Sequence, residues 1–204
     1  MKKLYPFIAF EGPIAAGKTT LSGLLANHIH ADLIREDFEG NEFLADFYAD
    51  RERWSLAMQL WFLGSRRDQM NSIMMPLPRP LVVDYSYLKD GIYARILLKD
   101  RELRLYNQLT AELAGSLPQP TLIVHVDARN EVLLDRIHRR QRPYEAVIDK
   151  RYLDVVRAAY DKEVATCGVK VLRYNTSELD LNSESQMAEF YDKVIEASNT
   201  VTHT

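Results

Sequence analysis

The apolar positions of this sequence follow two rhythms that alternate along the chain. Five short runs are nearly continuous in apolar residues, and between them apolar residues recur three and four apart. The first rhythm predicts strands buried on both faces, the second amphipathic helices. "YPFIAFEG" ends in glycine and reads as a buried strand feeding a loop. "ADLIRED" predicts a short second strand ending near Glu36. "LVVDYS" and "TLIVHVD" each follow a proline and reach an acid, and "VKVLRYN" is a further run of similar size.

The helical stretches fall between these runs. "KTTLSGLLANHIH" places Leu21, Leu24, Leu25 and His28 at helical spacing. "NEFLADFYADRERWSLAMQLWFLGSRRDQM" carries two helical segments, the second from about Arg53 to Met75, with Trp54, Met58, Trp61 and Phe62 as a core-facing stripe. "MMPLPRP" then breaks the pattern. "GIYARILLKDRELRLYNQLTAELAGS", "NEVLLDRIHRR", "VIDKRYLDVVRAAYDKEVAT" and "ESQMAEFYDKVIEAS" are the remaining helical stretches, and the tail "SNTVTHT" is expected to fray. No repeat, low-complexity segment or linker interrupts them. Strands alternating with helices imply an α/β fold, a five-stranded parallel sheet covered on both faces.

Composition narrows the picture modestly. At 204 residues the chain fits a single domain, 1–204. Lys+Arg 26 against Asp+Glu 29 leaves a net charge of −3, which argues against nucleic acid as a partner. A single cysteine, Cys167, excludes an intramolecular disulfide and a cysteine zinc site and fits a reducing compartment. With Gly168 after it, Cys167 is expected to be a small packing residue at a helix end. No stretch approaches the ~18 apolar residues of a membrane span, and the run before Glu11 is too short for a secretory signal. A cytoplasmic protein without a membrane partner is expected.

The chemistry begins at "FEGPIAAGKTT". Gly12, Gly17, Lys18 and Thr19 satisfy G-x-x-x-x-G-K-[ST], the phosphate loop, with Ala15, Ala16 and Thr20 in the same binding stretch. Its glycines let the backbone curl so that N–H groups point at phosphate oxygens, and the helix start behind it favours negative charge. Lys18 is expected on the β and γ phosphates of ATP. Thr19 and Asp84 are expected to hold Mg²⁺. Glu36, Asp84 and Asp127 all fall at strand ends, where a parallel sheet presents its chemistry, and a carboxylate there can take the proton of a hydroxyl acceptor. "DRIHRRQRPYE" packs Arg136, Arg139, Arg140 and Arg142 into seven residues. Charge runs are ordinarily solvated helix faces, but beside a phosphate loop this one reads as a lid that grips phosphates.

With these segments in view, the chain resembles the deoxynucleoside kinases of the deoxycytidine, deoxyguanosine and deoxyadenosine type, in their bacterial branch. The resemblance runs from "FEGPIAAGKTT" through "FLADFYADRERWSLAMQLWFLGSR" and "VVDYSYLKDGIYAR" to "VLLDRIHRRQRPYE". It implies a P-loop domain, ATP as donor, a deoxynucleoside as acceptor and a homodimer formed through long helices. It implies Glu36 as general base for the 5′-hydroxyl, Tyr48 and Glu145 on the 3′-hydroxyl, and Gln59 with Arg66 and Asp90 around the base. Lys18, Arg136, Arg140 and Arg142 would grip the phosphates. Two departures stand out: Asp37 follows Glu36 where proline is frequent, and Tyr85 stands where the family usually has an arginine for the transferring phosphate. Lys89 is a candidate replacement cation. The Asp90–Arg66 pair suits adenine, guanine or cytosine better than thymine, whose carbonyl would face a carboxylate; adenine is favoured. A nucleoside monophosphate kinase, with Arg66 or Arg67 on the acceptor phosphate, and a non-catalytic nucleotide-binding descendant are the alternatives.

Overall fold

A computed structural model describes residues 5–113 and 117–199. Five parallel strands form one sheet: β1 (Phe7–Glu11), β2 (Asp32–Ile34), β3 (Leu81–Val83), β4 (Leu122–Asp127) and β5 (Lys170–Asn175). Their spatial order is β2-β3-β1-β4-β5, with β1 central between β3 (Ala9 beside Val83) and β4 (Ala9 beside Ile123). Every residue of β1 is buried because both its neighbours are strands and both its faces are covered. Ile8 and Phe10 face one core and Phe7 and Ala9 the other, the period of two expected of a strand.

Helices fill both sides. α1 (Lys18–His28), α6 (Asn130–Arg140) and α8 (Glu184–Asn199) contribute Leu21, Leu25, Leu133 and Phe190 to the first core. α4 (Leu88–Leu97) and α7 (Lys150–Thr166) contribute Ile92, Val156 and Tyr160 to the second. α2 (Leu44–Ala49) and α3 (Arg51–Asn71) pack as a satellite in which Leu44, Phe47, Met58 and Phe62 are buried, with Trp54 and Trp61 partly buried against them. The expected stripe therefore packs against α2, and its Met58 and Phe62 also face a cavity. α5 (Asp100–Leu113) packs Tyr106 against Leu63 of α3.

Element ends differ from the sequence reading for local reasons. The long helix α3 spans Arg51–Asn71, not Arg53 to Met75, because the Asp50 carboxylate accepts from the Arg53 amide and caps it two residues earlier. The stretch after Gly91 is two helices: Leu98 is extended (φ −97°, ψ 146°) and Asp100 is left-handed (φ 41°). Its last residues, Ala114 to Ser116, lie outside the described ones. Cys167 caps the end of α7 and packs into the second core, as expected. The tail expected to fray begins at Ser198, but α8 continues through Ser198, which is buried, to Asn199; the remainder of that tail, 200–204, falls outside the described residues. No helix among the described residues is long and apolar enough to cross a membrane.

Candidate active site

The loop between β1 and α1 is shaped by its backbone. Gly12 has φ 144°, and a Cβ there would lie 1.9 Å from the Val126 carbonyl oxygen, so only glycine fits against β4. Ala15 (φ 64°) and Gly17 (φ 102°) are also left-handed. Gly17 caps α1 without a side-chain bond, which leaves the first amides of the helix for a ligand. Lys18 folds back over the loop and donates to the carbonyls of Gly12 and Pro13, both at 2.8 Å. Burial, with the charge of Lys89 adding to it, lowers the Lys18 ammonium to about 8.

Asp84 follows β3 and joins the two sides of the site. Thr19 Oγ1 donates to its Oδ2 at 2.8 Å, and the Glu36 amide donates to its Oδ1 at 2.7 Å. Strand β2 stops at Ile34, two residues short of the expected end, so Glu36 leaves the ladder and turns toward Asp84. Its carboxylate is held on both oxygens: Arg66 Nε and Nη2 donate to Oε1 at 2.8 and 2.6 Å, and Lys89 Nζ donates to Oε2 at 2.5 Å. Burial alone would raise this carboxyl, but the Lys89 and Arg66 charges outweigh it and bring it down to about 2. Burial opposes the Arg66 charge, whereas Asp90 and Glu36 favour it and hold it firmly protonated.

Two cavities meet at Glu36. The larger, about 590 Å³, is lined by the phosphate loop with Lys18, Thr19, Asp84, Arg140, Arg142 and Glu145 among its walls. The smaller, about 70 Å³, is apolar and aromatic, lined by Phe38, Phe47, Met58, Phe62 and Tyr93 with Gln59 and Arg66. Ile14, Glu36, Phe38, Tyr48 and Lys89 line both. Two buried polar atoms in these walls have no protein partner, Gln59 Oε1 and Glu145 Oε2. A buried acceptor left open costs free energy unless something else fills it, and both belong to residues that line the cavities.

Most of the predicted residues therefore converge, but four are placed differently from a simple reading. Asp90 lies behind Arg66, accepting from its Nη1 and from Tyr106 Oη at 3.4 Å, and does not line the aromatic cavity. Arg136 donates to the Thr176 hydroxyl (2.9 Å) and carbonyl (2.7 Å) and to the Ala15 carbonyl (3.3 Å); it braces the phosphate loop and is not among the cavity walls. Asp127 ends β4 but pairs with Arg157 at 2.7 Å, tying α7 to the sheet. Tyr85 is buried and donates to Gln69 Oε1 at 2.5 Å, outside both cavities. The sequence reading missed the aromatic wall of the smaller cavity, Phe38 and the helical Phe47, Phe62 and Tyr93, whose spacing reads as core. It also missed Glu11, fully buried at the end of β1 behind the loop, where an acid closing an otherwise apolar strand was the available signal.

This geometry has relatives. A model of the family described as deoxynucleoside kinase matches residues 8–201. The chain is 35% identical over 159 residues to a deoxyguanosine kinase of Bacillus subtilis, covering 76% of this chain and 77% of the other. It is 32% identical over 178 residues to a deoxyadenosine kinase of Dictyostelium discoideum, covering 84% and 72%. Among solved structures, a deoxyadenosine kinase from M. mycoides with bound dATP superposes with a TM-score of 0.81 over 93% of this chain and 99% of that one, at 19% identity. Sheet, loop and relatives agree: this P-loop α/β chain belongs to the deoxynucleoside kinase family.

Proposed function

We propose that the protein transfers the γ-phosphate of ATP to the 5′-hydroxyl of a deoxynucleoside, as an enzyme of nucleotide salvage. The observation that carries this reading is the shared wall: one carboxylate, Glu36, stands where the phosphate-loop cavity opens into the aromatic one. A hydroxyl entering from the aromatic side reaches Glu36 and faces the loop at the same time, which is the arrangement an in-line transfer needs.

In this reading Lys18 and the loop amides hold the β and γ phosphates while Arg140 and Arg142 close over them. Arg136 keeps the loop braced from behind. Glu36 accepts the proton of the 5′-hydroxyl. The Lys89 and Arg66 contacts hold this carboxyl below its usual range and weaken it as a base; in this reading the Lys89 contact loosens during the cycle, with the transferring phosphate as the new partner for that ammonium. Lys89 thereby supplies the cation that Tyr85, turned away to Gln69, does not. Thr19 and Asp84 are hard oxygen donors side by side at the loop and fit Mg²⁺, which would neutralise charge on the phosphate oxygens. Tyr48 and Glu145 hold the 3′-hydroxyl.

The base lies among Phe38, Phe47, Phe62 and Tyr93, facing the Gln59 amide, with Asp90 acting on it only through Arg66. An amide offers one acceptor and one donor, matching adenine and cytosine edge to edge; deoxyadenosine is the favoured acceptor, with deoxycytidine and deoxyguanosine following. Arg66 is already occupied by Glu36 and Asp90, and Arg67 lines a different cavity, so neither stands ready in the aromatic cavity for the phosphate of a monophosphate acceptor. The same reading makes the protein a cytoplasmic homodimer, which sedimentation checks.

The decisive experiment is ADP release with Mg·ATP and each of deoxyadenosine, deoxyguanosine, deoxycytidine, thymidine and dAMP, run beside Glu36→Gln. Turnover with the first three, lowered about 10²- to 10⁴-fold in the variant, supports the reading. Reaction of dAMP in preference to every nucleoside would replace it with a monophosphate kinase.

A further inference from the structure

Glu11 ends β1 with no exposed surface, although the phosphate loop has no need of a carboxylate there. Burying an ionised carboxyl costs several kcal/mol, and an apolar side chain would avoid that penalty. What the carboxyl does instead is hold a turn. Its Oε1 accepts from the Ser86 amide at 2.6 Å and from the Ser86 hydroxyl at 2.7 Å. Ser86 in turn starts α4: its hydroxyl accepts from the Leu88 amide at 3.2 Å and its carbonyl from the Lys89 amide at 3.3 Å. A continuous chain of hydrogen bonds therefore runs from the strand entering the phosphate loop to the helix carrying Lys89 and Asp90.

The surroundings of Glu11 are not those of a packing residue. Its Oε2, His125 Nε2 and Tyr160 Oη are all buried without a protein partner. His125 is its neighbour in register on β4, and the His125 and Tyr160 rings lie 5.7 Å apart. The Tyr160 hydroxyl lies close enough to interact with the Glu11 carboxyl, so the three groups form one buried polar cluster. Burial raises the Glu11 carboxyl, while Lys89, Ser86 and Lys18 pull it the other way, so the acid also lies within the field of both site lysines.

We infer that Glu11 is a positioning residue for phosphoryl transfer: its carboxylate fixes the β3–α4 turn against the phosphate loop, so that Asp84 and Lys89 meet the donor phosphates in one geometry. The inference rests on the kinase reading above and adds to it a residue that touches neither substrate.

The test compares Glu11→Met, which keeps the length and loses the acceptor, with Glu11→Gln, which keeps one acceptor oxygen, and Ser86→Ala with Ser86→Thr. In Glu11→Met and Ser86→Ala kcat falls about 10- to 100-fold while KM for ATP and for the deoxynucleoside stays within about threefold. Glu11→Gln and Ser86→Thr, which keep the acceptor and the hydroxyl, retain most of the turnover. A lowered melting temperature with unchanged kcat per folded molecule would mean a packing role and overturns the inference, as does a loss carried by KM alone. If Glu11→Met does not fold, the two Ser86 variants decide by the same criteria. Hydrogen exchange at the Ser86 amide reads the clamp without turnover: slow exchange in the wild type, accelerated in Glu11→Met, is expected, and fast exchange in the wild type overturns it. A wild type that phosphorylates no nucleoside but protects the Ser86 amide would instead sink the kinase reading and leave the clamp standing.

Discussion

The donor side and the acceptor side of this site are built by different means. The donor side is one contiguous stretch between β1 and α1, and its working parts are backbone groups held by left-handed residues. On the proposed reading the acceptor side is assembled from Glu36 after β2, Gln59 and Arg66 on α3, and Lys89 on α4, with Glu36, Arg66 and Lys89 held by buried ion pairs. A backbone site fails when the chain cannot take its path. A side-chain site loses function one group at a time, because Glu36 and Arg66 each have more than one partner. The comparison teaches that the two halves are vulnerable to different substitutions, and four measurements can break or sharpen it.

The largest effect is expected at Gly12→Ala. The added Cβ meets backbone, the Val126 carbonyl, at 1.9 Å, and no rotamer relieves it. ATP affinity, read by calorimetry, should fall at least about 100-fold while deoxynucleoside binding persists. Equal loss on both sides would show that the halves are not separable. Next comes Lys89→Met, which removes one partner of Glu36 and leaves Arg66: kcat should drop about 10- to 100-fold with ATP affinity little changed. Unchanged turnover would assign Lys89 to charge balance alone.

Gln59→Leu is smaller and confined to the acceptor. It should raise the KM for the deoxynucleoside roughly 3- to 10-fold, by removing a buried amide whose oxygen has no protein partner. An unaltered KM would place the base elsewhere. The smallest effect concerns stability under the donor loop. Burial, with Arg173 adding to it, lowers His125 from 6.5 to about 4. The unfolded chain therefore takes up a proton at higher pH than the folded one, so this contribution is complete above pH 6.5 and is lost as pH falls toward 4. Denaturant midpoints should decline across that window, by at most about 3 kcal/mol in total, and His125→Asn should flatten the slope. A wild-type midpoint that does not decline would show His125 solvated.

How much of this was legible in the sequence depends on the range of the interaction. Strand β1, the loop and the start of α1 follow from an apolar run, glycine spacing and a helical repeat within about twenty residues, and they stand where expected. Tyr48, Gln59 and Glu145 were assigned by resemblance, and all three line the cavities. The sequence could not place Arg136 behind the loop, because its partner Thr176 lies 40 residues on, nor show Asp90 screened by Arg66. Glu11 was overlooked because an acid after an apolar run reads as the boundary of a strand, and its partner Ser86 is 75 residues away.

By itself, then, the sequence determined the elements, the parallel sheet and the phosphate loop, since periodicity and glycine placement act between near neighbours. The tertiary structure decided the strand order β2-β3-β1-β4-β5 and, through it, the pairings of Thr19 with Asp84 and Glu36 with Lys89 across 65 and 53 residues. No local pattern specifies which strand ends lie side by side; that follows from how both faces of the sheet are covered, and only the packed sheet brings those carboxylates to one point.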